Sequence, residues 1–154
     1  LPKPLLYLAK IKLAQQDLES GLSMLKKLRK KFPKHDDITL YLGYANEKLG
    51  HHSKAEALYR EVLRKRPEHH KALLRLGAVL IKLGKLEDAR SFLENLTKKY
   101  PIYTVGWWNL GIVYYQLGKI DLAELAWEES LRLEPENSQV RVILEQLRDE
   151  LSSI

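Results

Sequence analysis

The chain has 154 residues, 45% of them apolar and 30% charged, and a formal charge of +6 at neutral pH, which suits a helical domain long enough to bury a core. It holds no cysteine, so disulfides and thiolate metal sites are excluded. No apolar run approaches the roughly 20 residues that span a bilayer, and no leader-peptide pattern is visible.

Taken in chain order, residues 2–35 come first and carry nine Lys/Arg against two Asp/Glu. Leu25, Leu28 and Pro33 fall inside them, with the basic run Lys26-Lys27-Leu28-Arg29-Lys30-Lys31. Residues 36–69 are neutral and contain Leu42-Gly43, Leu49-Gly50, Ala55, Tyr59 and Pro67. In residues 70–103, Leu73, Leu76, Gly77 and Leu80 recur at i, i+3, i+4 and i+7, the apolar stripe of an amphipathic helix. Gly84 ends that helix as a left-handed C-terminal glycine does, Ala89, Leu93 and Leu96 stripe a second helix, and Pro101 closes it. Residues 104–137 are acidic, two Lys/Arg against six Asp/Glu, and contain Trp107, Leu110-Gly111, Tyr114, Ala123, Trp127 and Pro135. Residues 138–152 read as a last amphipathic helix with Val140, Ile143, Leu144 and Leu147 on one face, capped by Asn137 or Ser138.

One period governs this order. Pro33, Pro67, Pro101 and Pro135 are 34 residues apart, and the Leu-Gly pairs and the alanines keep the same spacing. Each period is therefore one pair of helices. Neither helix buries its stripe alone, so each pair needs its neighbours.

The pattern of Trp, Leu-Gly, Tyr, Ala, an aromatic and Pro in 34 residues resembles the tetratricopeptide repeat, and residues 104–137 match it best. The first unit diverges most, with Leu8-Ala9 and Gln15-Gln16 where Leu-Gly pairs are usual and Gly21 for the small alanine. The resemblance implies an all-α, right-handed α-solenoid of four helix-turn-helix repeats, about 2–35, 36–69, 70–103 and 104–137, with a capping helix at about 138–152, in a single domain covering 1–154. It also implies that first helices line a concave groove. By register that groove offers Leu6, Leu40, Leu74 and Trp108 in one row, Lys10, Tyr44, Ala78 and Ile112 in the next, and Leu13, Glu47, Ile81 and Tyr115 in a third. The expected partner-binding residues are Leu40, Tyr44, Lys71, Leu74, Arg75, Ile81, Trp108, Ile112 and Tyr115. Such an apolar face is the mark of an interaction site. Trp107 and Trp127 hold packing positions and are expected in the core.

Some domains of this family grip a chaperone's C-terminal carboxylate with Lys, Asn, Asn, Lys and Arg. The corresponding positions here are Leu6, Lys10, Tyr41, Lys71 and Arg75, and only the last two match. The clamp is therefore not expected, although the cations can attract an acidic stretch beside an apolar anchor. The carboxylate neighbours Glu87-Asp88 and Glu128-Glu129 point in different directions on a helix and make no catalytic pair. The five histidines, His35, His51, His52, His69 and His70, fall near turns and are expected to be solvated; no metal site is expected among them. No catalytic or phosphate-cradling motif is present.

The resulting expectation is a non-enzymatic scaffold or adaptor, without cofactor or metal, that holds an apolar or amphipathic peptide or helix of another protein. The alternative is a regulatory or targeting arm of a larger enzyme or of a secretion or assembly machine, since the chain begins at Leu1 and reads as a processed chain or a piece. Nucleic-acid binding through the basic first repeat is a weaker alternative, because the acidic fourth repeat interrupts any basic track. The opposed charges of the ends also suggest head-to-tail self-association. Cytoplasm is the favoured location.

Overall fold

The computed structural model describes residues 1–154 and consists of nine α-helices with no strand. Each 34-residue period holds two of them. Local chemistry sets the boundaries. Asp17 accepts from the Ser20 N–H, His69 Nδ1 from the Ala72 N–H, and Asn137 from the Gln139 and Val140 N–H groups, each meeting amides that a helix start leaves bare. The first helices of the pairs end on residues with positive φ: Gly50 at 82°, Gly84 at 71°, Gly118 at 75° and, in the divergent first repeat, Gln16 at 63°. Each repeat proline stands two residues beyond the end of a second helix, where it blocks extension.

The chain divides into two compact units, Leu1–Leu83 and Gly84–Ile154. The first holds α1 (Lys3–Ala14), α2 (Leu18–Lys31), α3 (Asp36–Lys48), α4 (His52–Lys65) and α5 (His70–Lys82). Successive helices pack as hairpins, and the first helices α1, α3 and α5 are neighbours. Leu6, Ala9 and Leu13 of α1 meet Leu22, Leu25 and Leu28 of α2 and Ile38, Leu42 and Ala45 of α3 in one buried cluster. Backbones come close where glycine faces a ring: a Cβ on Gly43 would stand 2.7 Å from Tyr59 Cε1. Arg29 of α2 reaches Glu61 of α4 at 2.8 Å.

The second unit holds α6 (Leu86–Lys99), α7 (Thr104–Gln116), α8 (Ile120–Leu133) and α9 (Ser138–Ser152), each packed on the next. Trp127, 2% exposed, fills the space that Gly111 leaves, and its indole N–H donates to the Trp108 carbonyl at 3.1 Å. A Cβ on Gly111 would run into that indole. Arg148 of α9 bridges Glu124 and Glu128 of α8 at 2.9 and 2.8 Å. Val140, Leu144 and Leu147 are buried, whereas Ile143 is half-buried.

Two tryptophans thus separate in a way the repeat register does not anticipate. Trp127 is core. Trp107 is only half-buried and turns its N–H to the Pro101 carbonyl at 2.8 Å, a polar partner at the surface that a core position would lack. Three of the five histidines depart from the solvated reading, since His69 caps α5 and His35 and His52 keep a buried Nδ1, while His51 and His70 are exposed.

Candidate functional site

In the first unit, side chains from α1, α3 and α5 converge on a pocket of about 400 Å³. Its apolar lining comes from Leu13, Leu40, Leu74 and the Tyr59 ring; Tyr41, Tyr44, Lys10, Lys71 and Arg75 stand around it. The pocket exists because α1, α3 and α5 are neighbouring first helices, so residues one turn apart on each face the same space. Tyr59 enters from α4 because Gly43 on α3 leaves its ring room.

Electrostatics divide the cations into two kinds. Arg75 is committed: its guanidinium lies 3.5 Å from the Glu47 carboxylate and 4.6 Å from the Tyr44 ring centroid. Glu47 in turn accepts from the Tyr59 hydroxyl at 2.6 Å. Burial first, and then that hydrogen bond to a carboxylate, push the Tyr59 phenol well above its ordinary value, so it remains a neutral donor. Lys10 and Lys71 instead rest on one aromatic ring, 4.3 and 5.8 Å from the Tyr41 centroid, and Lys71 donates to the Tyr41 hydroxyl at 3.2 Å. A cation on a ring face keeps much of its field available to an incoming anion.

Of the nine residues expected from register, Leu40, Tyr44, Lys71, Leu74 and Arg75 share this pocket. Leu40 is only 4% exposed, so it forms the floor rather than a presented contact; neighbouring first helices close over it. Ile112 and Tyr115 line a second pocket of about 260 Å³, in the other unit, completed by Trp127 of α8 and by Ile143 and Leu147 of α9. Trp108 is half-buried, its ring 6.0 Å from Trp127, and Ile81 is half-buried on α5 without lining either pocket. Tyr41 and Tyr59 were not among the nine. Register marks Tyr41 as a clamp position and Tyr59 as a residue of the second repeat, but does not say that either joins this pocket. No group of histidine and acidic side chains is arranged to hold a metal, and no helix is long and apolar enough to cross a membrane.

The fold and these faces define an all-α repeat protein. Three family models described as tetratricopeptide repeat match residues 6–61, 47–103 and 105–137. The chain belongs to the tetratricopeptide-repeat family, an all-α solenoid class of protein-interaction scaffolds that bind other proteins and are in general not enzymes. No curated protein sequence matches it. Among solved structures it is similar to MamA, residues 41 to the end, from Desulfovibrio magneticus RS-1, with 23% identity and a TM-score of 0.87 over 97% of this chain and 85% of that one. It is also similar to PilF of Pseudomonas aeruginosa, 22% identical, TM-score 0.86, over 98% of this chain and 69% of that one. A thermophilic tetratricopeptide-repeat protein of Thermus thermophilus aligns at 22% identity and a TM-score of 0.80, over 98% of this chain and 83% of that one. At these identities the likeness concerns the fold.

Proposed function

We propose that this chain is an adaptor whose first-helix face takes an apolar or amphipathic segment of a partner protein. One apolar side chain of that segment rests against Leu74, over a floor of Leu13, Leu40 and the Tyr59 ring, and an adjoining acidic group meets Lys10 and Lys71. The observation that carries this reading is the pocket itself: about 400 Å³ with an aliphatic and aromatic lining, and two lysines held on an aromatic ring beside it. Apolar anchors in pockets supply most of the affinity in such complexes, and charges at the rim set encounter and register. Ile112 and Tyr115 of the second unit border a separate hollow whose lining is largely apolar and carries no cation.

Peptides selected by display against the full chain test the reading. They should share an apolar residue beside an acidic one, and Leu74→Asp should weaken them about tenfold or more in calorimetry. Equal binding to a variant with Leu74, Trp108 and Tyr115 all changed to serine, its helical circular dichroism intact, would sink it.

A further inference from the structure

The four turns that lead from a second helix into the next first helix share one plan but not one chemistry. The residue after the repeat proline is Lys34, Glu68, Ile102 and Glu136 in chain order, and three places further on stand Asp37, Lys71, Val105 and Gln139. Three turns are polar or charged at both places. The turn between α6 and α7 is apolar at both, and it presents them: Ile102 is 74% exposed and Val105 48%. Tyr100 and Tyr103 of the same turn stack with centroids 5.0 Å apart, and the Trp107 indole is held at the Pro101 carbonyl. Isoleucine and valine where equivalent turns keep charges, set among tyrosine and tryptophan, mark a contact surface.

The helices on either side say what the surface meets. Thr104 and Gly106 lie about 200° apart round α7, with Val105 between them. A Cβ on Gly106 would stand 3.3 Å from Thr97 of α6, while the Thr104 carbonyl accepts from Ser130 of α8 at 3.5 Å. The ends of α6 and α8 therefore reach α7 from opposite sides of the patch, and they carry opposite charge. α6 runs out in Lys98 and Lys99, and α8 leads into Glu134 and Glu136; all four are exposed. Lys99 lies 5.4 Å from the Tyr100 centroid. The two arginines beside the acidic pair are engaged, Arg132 with Glu129 and Arg141 with the Pro135 carbonyl. An anionic lipid surface would meet Glu134 and Glu136 as well as the lysines, and a partner of one charge would be repelled on one side. An apolar centre between a basic and an acidic flank is instead its own complement. A two-fold axis across the patch, at right angles to the line joining the flanks, sets the lysines of each chain opposite the glutamates of the other.

We propose that the α6–α7 turn docks a second copy of this chain in a two-fold contact. Ile102 and Val105 form its centre, and Lys98 and Lys99 of each chain face Glu134 and Glu136 of the other. The contact is weak, because the patch is one turn and the start of one helix, whereas a standard interface uses about 20–30 residues a side. A dissociation constant on the order of 10–100 µM follows from that size.

Sedimentation equilibrium of the full chain up to about 1 mM should show monomer and dimer, with less dimer as salt rises. Two charge-swapped variants decide the arrangement. Lys98→Glu with Lys99→Glu makes both flanks acidic, and Glu134→Lys with Glu136→Lys makes both basic. Each alone should pair at least about tenfold more weakly than the native chain, and their equimolar mixture should pair at least as well as it does. Ile102→Asp should weaken pairing by about the same factor, while Leu74→Asp leaves it unchanged. The substituted turn positions are exposed, and circular dichroism verifies that the variants fold. The proposal is overturned if the native chain stays monomeric, if the mixture fails to restore what each swapped variant loses, or if Ile102→Asp pairs like the native chain. Species larger than a dimer also overturn it, because a two-fold contact closes and a head-to-tail one does not. So does a monomer whose binding to phosphatidylserine vesicles is abolished by Ile102→Asp, since the turn then serves a lipid surface.

Discussion

The first hairpin, α1–α2, and the hairpin α7–α8 answer the same geometric demand with different residues. By register the first places Ala9 and Leu25, both fully buried, where the other has Gly111 and Trp127. The other uses Gly111 opposite Trp127, with no room for a single extra carbon. At the turn the first uses Gln16 and the other Gly118, at φ 63° and 75°. The hydrogen bonds are nonetheless the same: the Asp17 N–H reaches the Lys12 carbonyl at 2.9 Å and the Lys119 N–H the Tyr114 carbonyl at 2.8 Å. The period therefore holds a gap and a turn constant, and side chains are exchanged in compensating pairs to suit them.

The sharpest way to break this equivalence is Gly111→Ala. The added methyl strikes the Trp127 indole, and urea denaturation should show a loss of about 2–3 kcal/mol by overpacking. Adding Trp127→Leu should return part of the loss, since the pair then matches Ala9 with Leu25. If Gly111→Ala is neutral, the compensation argument fails.

Alkali should act on both units. Burial and the Glu94 carboxylate push the Tyr114 phenol up to about 12, and Tyr59 is raised by burial and Glu47. A folded-state pKa above the unfolded value means full stability below about pH 10, lost as pH climbs through the folded value. Chemical denaturation at rising pH should show a decline that begins above about pH 10 and is smaller in Tyr59→Phe. A decline that starts well below that point would contradict the assignment.

Gln16→Gly tests the turn. A non-glycine residue in the left-handed region costs about 1–2 kcal/mol, so relieving it should raise stability by about 1 kcal/mol after glycine's extra unfolded entropy. The smallest expected effect is at the other end. Arg148→Ala removes two half-exposed ion pairs between α9 and α8 and should cost only about 0.5–1 kcal/mol in thermal unfolding.

Much of the fold was legible because glycine, proline and alanine mark geometry directly. The 34-residue spacing places the helix pairs, and Gly50, Gly84 and Gly118 take the left-handed turns that their sequence positions imply. Gln16 was legible only as a departure; that it adopts the glycine conformation is decided by packing on both sides. Register likewise identifies which face Leu40 belongs to, but whether it is covered depends on how near the neighbouring first helices stand. Trp107 misled for a related reason: it holds a packing position, yet its indole finds a carbonyl at the surface. Tyr41 and Tyr59 needed three dimensions, since one acts by supporting cations and the other arrives from a second helix.

All three tryptophans, Trp107, Trp108 and Trp127, lie on α7 and α8, and the unit Leu1–Leu83 has none, its tyrosines including Tyr41, Tyr44 and Tyr59. Intrinsic indole emission is consequently a private optical channel for one half of the molecule, while far-ultraviolet ellipticity sums both. Following the two signals through a single denaturation would show, with no label attached, whether the halves melt together.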